Sequence, residues 1–188
     1  SARWGSRLIE SVARGMFDLR GQVALITGAA GGLGAATATA FAQQGADVVL
    51  VDREAAAAEA VALRCRALGV RAHGCVADLS LPDEVERLAA QAQEAFGRID
   101  SLVCNAGMQG PAGPLHQVTG TDWSTVFQVN LASAHVLSAR LAPAMAQRGG
   151  GSVILMASIA ALRGNKALGL YGLTKAALAQ LARNLAVE

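Results

Sequence analysis

Short apolar runs alternate with longer segments of helical periodicity over most of the chain. The apolar runs predict five buried β-strands, at residues 23–27, 47–52, 71–76, 101–104 and 152–156. Helices are expected between them, the first ending near Gly45 and the others at 53–68, 82–96 and 121–147, with Pro143 as a candidate bend. Strands separated by helices of this length imply parallel βαβ units. We therefore predict an α/β fold, a doubly wound parallel sheet with helices on both faces.

The first predicted helix has a clear apolar spacing. Apolar or small residues recur at i, i+3, i+4, i+7 and i+8, which is one face of a helix. These residues are Leu33, Ala36, Thr37, Ala40 and Phe41. We expect this face to pack on the sheet.

Length and composition fit one folded domain. The 188 residues suffice for a single α/β core, and 53% of them are hydrophobic whereas 16% are charged. The net charge of +2 is small and scattered, so it gives no argument for nucleic-acid binding. No run of 18 or more apolar residues is present, so we expect no membrane association.

The cysteines and histidines show no metal-binding pattern. Cys65, Cys75 and Cys104 are odd in number and lack CxxC spacing, which is typical of buried thiols in a reducing compartment. We therefore expect a cytoplasmic protein without a metal site.

Residues 1–15 differ from the rest, with three arginines among Trp4 and a few aliphatic residues. An organelle transit peptide would be rich in arginine, but Glu10 and the short length argue against one. We interpret residues 1–15 as an upstream extension or an artificial addition, and residues 16–188 as the domain.

A glycine-rich segment, TGAAGGLG at 27–34, lies where the first strand turns into the first helix. This is the context that a phosphate-binding loop requires. Gly28 would make the tight turn, Gly32 would let the backbone approach a pyrophosphate, and Gly34 would let the helix pack closely on the sheet.

Asp52 stands at the end of the second strand, where a carboxylate can accept hydrogen bonds from an adenosine ribose. Because the same charge would repel a 2′-phosphate, the sequence predicts NAD over NADP. Arg53 is the one neighbouring feature that would soften this preference.

Tyr171 and Lys175 are four residues apart near the end of the chain. On a helix this spacing places the phenol and the ammonium on the same face. An ammonium stabilises a nearby phenolate, so Tyr171 is a candidate general acid or base.

Five motifs in this order resemble the short-chain dehydrogenase/reductase family. They are TGxxxGxG at 27–34, the triplet Asn105-Ala106-Gly107, Asn130, Ser158 and YxxxK at 171–175. The resemblance runs from about Phe17 to the last residue. It implies a Rossmann-like fold and an NAD(P)-dependent oxidoreductase that acts on CH–OH groups.

The resemblance implies a catalytic role for four residues. Tyr171 would exchange a proton with the substrate oxygen while hydride moves between nicotinamide and a secondary alcohol or ketone. Lys175 would hold Tyr171 near phenolate and bind the nicotinamide ribose. Ser158, like Tyr171, would hydrogen-bond the substrate oxygen, and Asn130 would hold a water that relays protons or would bridge a helix irregularity.

Cofactor-binding residues follow from the same resemblance. Asn105, Ala106 and Gly107 would line the adenine and ribose side, and Asp78 with Leu79 would meet the adenine ring. The alternative to adenine contact for Asp78 is a structural role, as a loop carboxylate that caps the next helix. With Tyr171 and Lys175, the expected cofactor residues are then Gly28, Gly32, Leu33, Gly34, Asp52, Arg53, Asp78, Leu79, Asn105, Ala106 and Gly107.

Family members continue past the catalytic helix, so we expect that this chain is truncated at its carboxyl end and lacks the last strands. The segments 110–117 and 161–170 should border the substrate, with Arg163 and Lys166 as the charged residues there. An apolar alcohol, a polyol or an acyl thioester ketone would all be admissible.

The family also implies a homodimer or homotetramer. The candidates either for that interface or for the internal core are Leu131, Ala134, Val136, Leu137, Leu178, Leu181 and Leu185. The alternatives to an active enzyme are a non-catalytic dinucleotide-binding or scaffolding domain and an inactive fragment.

Overall fold

The computed structural model of the chain describes residues 17–188. The interpretation of residues 1–15 as an extension lies outside the described residues. Each predicted strand is present. Wherever the sequence predicted a boundary, the strand or helix begins or ends within two residues of it.

The described residues form five strands and six α-helices. The strands are β1 (Val23–Thr27), β2 (Asp47–Asp52), β3 (Ala72–Val76), β4 (Ser101–Cys104) and β5 (Ser152–Leu155). The helices are α1 (Gly32–Gln43), α2 (Ala55–Arg66), α3 (Pro82–Phe96), α4 (Gly120–Phe127), α5 (Ser133–Gln147) and α6 (Gly169–Leu185).

All neighbouring strands pair in parallel, in the order β3-β2-β1-β4-β5. The strand order reverses between β1 and β4, and a sheet of this kind opens a crevice at that point, outside the carboxyl ends of the strands. The predicted α/β fold with a doubly wound parallel sheet is therefore confirmed.

Alternate residues of β1 serve two separate cores, as the pleat of a strand requires. Leu25 packs in a cluster with residues of α3, α5 and α6, whereas Ala24 and Ile26 pack in a second cluster with residues of α1 and α2. Helices therefore cover both faces of the sheet. Cys65, Cys75 and Cys104 are buried in these two clusters, as predicted.

The buried face of α1 differs from the one that the apolar spacing predicts, and that prediction is wrong for three of its five residues. The exposed members are Leu33, Ala36 and Ala40. The residues of α1 that are buried are Gly34, Ala38 and Ala42. Close approach of α1 to the sheet depends on small side chains, so the hydrophobic spacing of an alanine-rich helix does not identify its buried face.

The predicted helix 121–147 is divided into three parts. A π-helical segment, Gln128–Ala132, separates α4 from α5, and Pro143 lies within α5, which continues to Gln147. A π-helical turn accommodates an extra residue and is often found at functional sites. Asn130 lies in this segment and is buried, so the irregularity is at Asn130.

Asp100 joins three strands at the edge of the sheet opposite the crevice. Its carboxylate accepts a hydrogen bond from the Val23 backbone N–H at 2.9 Å and two from the Arg98 guanidinium at 2.8 and 2.7 Å. Its backbone pairs with Val23 in β1 and Ser152 in β5. Burial alone raises the pKa of this carboxyl, but the hydrogen bonds from Arg98 and Val23 outweigh burial and hold the pKa below its ordinary value.

Asp100→Asn should lower the free energy of unfolding at pH 7 by about 1–3 kcal/mol, because the amide loses the charge-assisted bonds to Arg98. A carboxyl whose pKa falls on folding contributes stability above its unfolded pKa of about 3.9 and loses that contribution as pH falls through the folded pKa. Urea unfolding should therefore show the full difference at pH 7 and a smaller one below about pH 4.

The control is Asp83→Asn, which alters an exposed carboxylate in the first turn of α3. It should have a smaller effect at pH 7. An Asp100 variant no less stable than this control would contradict the role given to the buried carboxylate.

Candidate active site

The glycine turn between β1 and α1 is closely packed. Gly28 has a φ of +63°, a left-handed conformation that favours glycine. A Cβ on Gly34 would lie 2.1 Å from the Gly28 carbonyl oxygen, whereas a Cβ on Gly32 would meet nothing within 4 Å. The turn therefore has no space for a side chain at Gly34, whereas the space beside Gly32 is free.

A network around Thr27 joins this turn to the end of β4. The Thr27 hydroxyl oxygen accepts hydrogen bonds from the backbone N–H groups of Asn105 and Ala106, both at 3.1 Å. The Asn105 side-chain amide donates to the carbonyl oxygens of Thr27 and Gly28, at 3.0 and 3.1 Å. The carboxyl ends of β1 and β4 are thereby held side by side.

Asp52 contacts the glycine turn from the end of β2. Its Oδ2 accepts a hydrogen bond from the Ala30 N–H at 3.0 Å, and its Oδ1 accepts a longer one from the Glu54 N–H at 3.3 Å. Each carboxylate oxygen accepts more than one bond, so acceptor capacity remains for a ligand. The neighbouring Arg53 is exposed, with its Nε 3.7 Å from the Glu54 carboxylate.

A cavity of about 360 Å³ lies at the carboxyl ends of β1, β2 and β4. Seven of the predicted cofactor-binding residues lie together in its wall. Those residues are Gly28, Asp52, Arg53, Asp78, Leu79, Ala106 and Gly107. The wall also contains Ser80, Met108, Thr125 and Val129, which sequence reasoning missed because no motif includes them.

Asp78 does not cap α3 directly. Its Oδ1 accepts a hydrogen bond from the Ser80 N–H at 2.8 Å, and α3 has Leu81 as its N-cap residue, without a side-chain bond. The hydrogen bonds with Ser80 are the main reason that the pKa of Asp78 is lowered. The Asp78 carboxylate therefore stabilises the turn that precedes α3, and the residue lies in the cavity wall.

Lys175 is a buried cation close to the cavity. It is 3% exposed, and its Nζ donates a hydrogen bond to the Met156 carbonyl oxygen at 2.6 Å. Its Nζ also lies 5.6 Å from the centre of the Tyr171 ring, one turn earlier on α6. Burial lowers the pKa of Lys175 from its ordinary value.

Asn130 fixes the position of the loop after β4. Its Oδ1 accepts from the Met108 N–H at 2.8 Å, and its Nδ2 donates to the Met108 carbonyl oxygen and the Thr174 hydroxyl, both at 2.9 Å. The Thr174 hydroxyl in turn donates to the Tyr171 carbonyl oxygen at 2.8 Å. A Cβ on Gly107 would lie 3.3 Å from both Asn130 Oδ1 and Lys175 Nζ, so these two side chains meet at that glycine.

Ser158 follows β5 and caps a short 3₁₀ helix, Ile159–Ala161, where its Oγ accepts from the Ala160 N–H at 3.2 Å. This short helix packs closely on the start of α6. A Cβ on Gly172 would lie only 2.8 Å from the Ala160 carbonyl oxygen. Ser158 is thus on a segment packed against the turn that carries Tyr171.

Sequence reasoning missed Thr174 and the backbone groups of Met108 and Met156. Thr174 lies three residues after Tyr171 and is fully buried, a signal that is visible only once the helix is known to be packed. Backbone carbonyl oxygens have no signal in a sequence, so the acceptor for Lys175 requires a structure.

Residues 17–188 contain neither a metal-binding cluster nor a membrane-spanning helix. No group of three or more His, Cys, Asp or Glu side chains is arranged to hold a metal ion. None of the described helices has the length and apolar character needed to cross a bilayer.

The sequence matches known proteins over most of its length. A family model described as short chain dehydrogenase matches residues 22–188. An uncharacterized oxidoreductase of Mycobacterium tuberculosis (strain CDC 1551 / Oshkosh) is 42% identical over 92% of this chain and 66% of its own length. The dehydrogenase/reductase SDR family member 4 of Oryctolagus cuniculus is 36% identical over 90% of this chain and 65% of its own length. The chain therefore spans about two thirds of the length of these curated relatives.

Two solved structures are similar throughout the described fold. A 7α-hydroxysteroid dehydrogenase complexed with NADH and 7-oxo glycochenodeoxycholic acid has a TM-score of 0.86 and 37% identity, covering 91% of this chain and 66% of that one. A metagenomic short-chain oxidoreductase in complex with NADP has a TM-score of 0.85 and 35% identity, covering 89% and 76%. From the family model, the relatives and the shared fold, we conclude that the chain belongs to the short-chain dehydrogenase/reductase family.

Proposed function

We propose that the protein is an oxidoreductase that transfers hydride between NAD(H) and a secondary alcohol or ketone. The observation that carries this proposal is the burial of Lys175 against Tyr171, beside the cavity at the carboxyl edge of the sheet. Burial disfavours an ammonium, so Lys175 has a cost in stability that a functional role would explain. A buried cation next to a phenol suits a proton-transfer site.

The residues around the cavity fit a dinucleotide. Glycine at position 34 keeps the start of α1 against the turn, and the open side at Gly32 leaves backbone N–H groups of the helix N-terminus accessible to a pyrophosphate. Asp78 and Leu79 would meet the adenine, and Asn105, Ala106 and Gly107 would line the adenosine side. The solved relatives named above were determined with NADH and with NADP.

Asp52 supports NAD as the preferred cofactor. A carboxylate with unused acceptor capacity at the end of β2 would bind ribose hydroxyls, and its charge would repel a 2′-phosphate. Arg53 lies next to Asp52 in the cavity wall but also near Glu54, which offsets part of its charge.

A reduced nicotinamide, when bound, supplies the hydride for the carbonyl carbon. Tyr171 then donates its hydroxyl proton to the carbonyl oxygen, and in the reverse direction accepts a proton from the alcohol. The ammonium of Lys175 stabilises the resulting phenolate, since its charge is screened little when buried. Ser158 hydrogen-bonds the substrate oxygen as negative charge develops on it.

Asn130 positions this centre. Its contacts with Met108 and Thr174 hold the loop after β4 against α6, beside Lys175. The proposed water relay from Lys175 would start at this point, where Asn130 and Lys175 meet at Gly107. The bridging of a helix irregularity and the relay are compatible roles.

We further propose a homo-oligomer in a cytoplasmic, reducing environment. Leu137 and Leu178 belong to the internal core, whereas Leu131 and Leu181 are only partly buried and line a groove between the π-helical segment and α6. The buried thiols are compatible with a reducing compartment. A dimer or a tetramer would cover the groove.

Tyr171→Phe should lower kcat for a ketone or alcohol substrate by about 10²–10⁴-fold, because the variant lacks the proton that general acid catalysis supplies. Binding of NADH, followed by fluorescence titration, should stay within about twofold, since only one hydroxyl is removed. Unchanged turnover would contradict the proposal and favour a non-catalytic binding domain.

A matched pair of serine variants supports the same test. Ser158→Ala should lower kcat by about 10²-fold, as expected for a donor to a developing oxyanion. Ser152→Ala removes an exposed hydroxyl at the other end of β5 and should leave kcat unchanged. Equal effects of the two variants on kcat would refute the proposed role of Ser158.

Asp52→Asn should shift the ratio of NADH to NADPH affinity by about tenfold toward NADPH, because the amide removes the charge and keeps an acceptor for the Ala30 N–H. The measurement is a pair of fluorescence titrations. Glu94→Gln removes an exposed charge from α3 and is the control. Equal affinity of the unmodified chain for both cofactors would refute the role of Asp52.

A further inference from the structure

Two loops on the side of Tyr171 and Ser158 are joined to each other. The segment after β4 and the segment after β5 form a parallel bridge between Gly113 and Leu168, with the Gly113 N–H donating to the Ala167 carbonyl oxygen at 3.2 Å. The Leu115 side chain lies 3.0 Å from the position of a Cβ on Gly169. We call these two segments, 105–119 and 156–168, the rim.

The rim carries positive charge without any counter-charge of its own. It contains Arg163 and Lys166, together with His116, but no aspartate or glutamate. The helix α6 (Gly169–Leu185) has no acidic residue either. The nearest acid after the first loop, Asp122, is held by the Thr119 hydroxyl at 2.6 Å.

Arg163 and Lys166 are exposed, and neither forms an ion pair with any residue of the described part of the chain. Seven of the ten other arginines in residues 17–188 form ion pairs, such as Arg66 with Glu59 and Arg140 with Glu86. The two cations of the rim therefore remain available to a ligand.

Apolar side chains accompany these cations. Ile159 is 66% exposed, Leu162 is 78% exposed and Leu115 is 47% exposed. Ile159 follows Ser158 directly, and Leu162 precedes Arg163. Along the sequence after Ser158, exposed apolar residues therefore come first and the two cations follow.

We propose that the substrate of this site has an apolar body with an anionic oxygen group, a carboxylate or a phosphate, and that Arg163 and Lys166 bind that group. This inference rests on the proposed function only in placing the reacting carbon near Ser158 and Tyr171. A planar guanidinium pairs with carboxylate and phosphate oxygens through two parallel hydrogen bonds, and a lysine adds a mobile charge. The rim thus selects an acidic ketone or alcohol over a neutral polyol.

The test uses a fluorescent apolar acid, 11-(dansylamino)undecanoic acid, and its methyl ester as the neutral twin. The acid should bind the 188-residue chain about tenfold more tightly than the ester at low salt, and this advantage should shrink as salt is added. Equal affinities of acid and ester, or the absence of saturable binding by both, would overturn the proposal.

A charge-matched pair of double variants locates the effect. Arg163→Gln with Lys166→Gln should bring the acid-to-ester affinity ratio close to one. Arg64→Gln with Arg183→Gln removes the same amount of charge from α2 and α6, away from the rim, and should leave the ratio unchanged. A ratio that falls equally in both would show general electrostatics and refute a site on the rim.

Displacement of the bound probe distinguishes the two candidate anionic groups, carboxylate and phosphate. Decanoate and decyl phosphate are compared with decanol, and the better competitor identifies carboxylate or phosphate as the preferred group. Displacement by decanol as effective as that by both anions would count against the proposal.

The outcome is separable from that of the proposed reaction. Tyr171→Phe should retain the acid-to-ester ratio, because binding at the rim does not require the phenol. In the unmodified protein, acid selectivity without turnover of any alcohol or ketone would refute the reaction and leave the anion site, whereas turnover without selectivity would refute the anion site alone.

Discussion

The candidate site depends on one hydroxyl. Thr27 Oγ1 is buried and accepts two backbone N–H groups from the segment after β4, while Asn105 returns two hydrogen bonds to the turn after β1. The ends of two parallel strands have no ladder partners beyond their last residues, and buried polar backbone groups are costly when unpaired. These hydrogen bonds pair the backbone groups at both strand ends. They also fix the floor of the crevice, which supports the glycine turn and the cavity.

A second set of hydrogen bonds connects that floor to Tyr171. Asn130 bonds the loop after β4 and also Thr174, which bonds the carbonyl of Tyr171. The π-helical segment is the backbone irregularity in which Asn130 lies. Because each polar atom of Asn130 is satisfied within the protein, the side chain is rigid, and the distance between the dinucleotide side and Tyr171 is set by hydrogen bonds rather than by loose packing.

The strands, their parallel arrangement and the motif residues could be predicted from the sequence because their signals are local. An apolar run, a glycine at a tight turn and a carboxylate at a strand end each have a physical cause within a few residues. The face of α1 could not be predicted, since Gly34 and Ala38 are buried for their small size, whereas Leu33 is exposed. The π-helical segment, the acceptor for Lys175 and the partner of Asn130 depend on contacts between distant parts of the chain.

The strand order has a consequence for how the chain folds. Thr27 and Asn105 are 78 residues apart in sequence yet share the central bonds of the crevice. Parallel neighbours so distant in sequence close a long loop, and non-local pairing of this kind slows folding. The amino-terminal half can form β1, β2 and β3 with local crossovers, but the cavity exists only after β4 has joined β1. A ligand of that cavity therefore binds the completely folded chain and not its first half, so binding adds its full contribution to the free energy of complete unfolding.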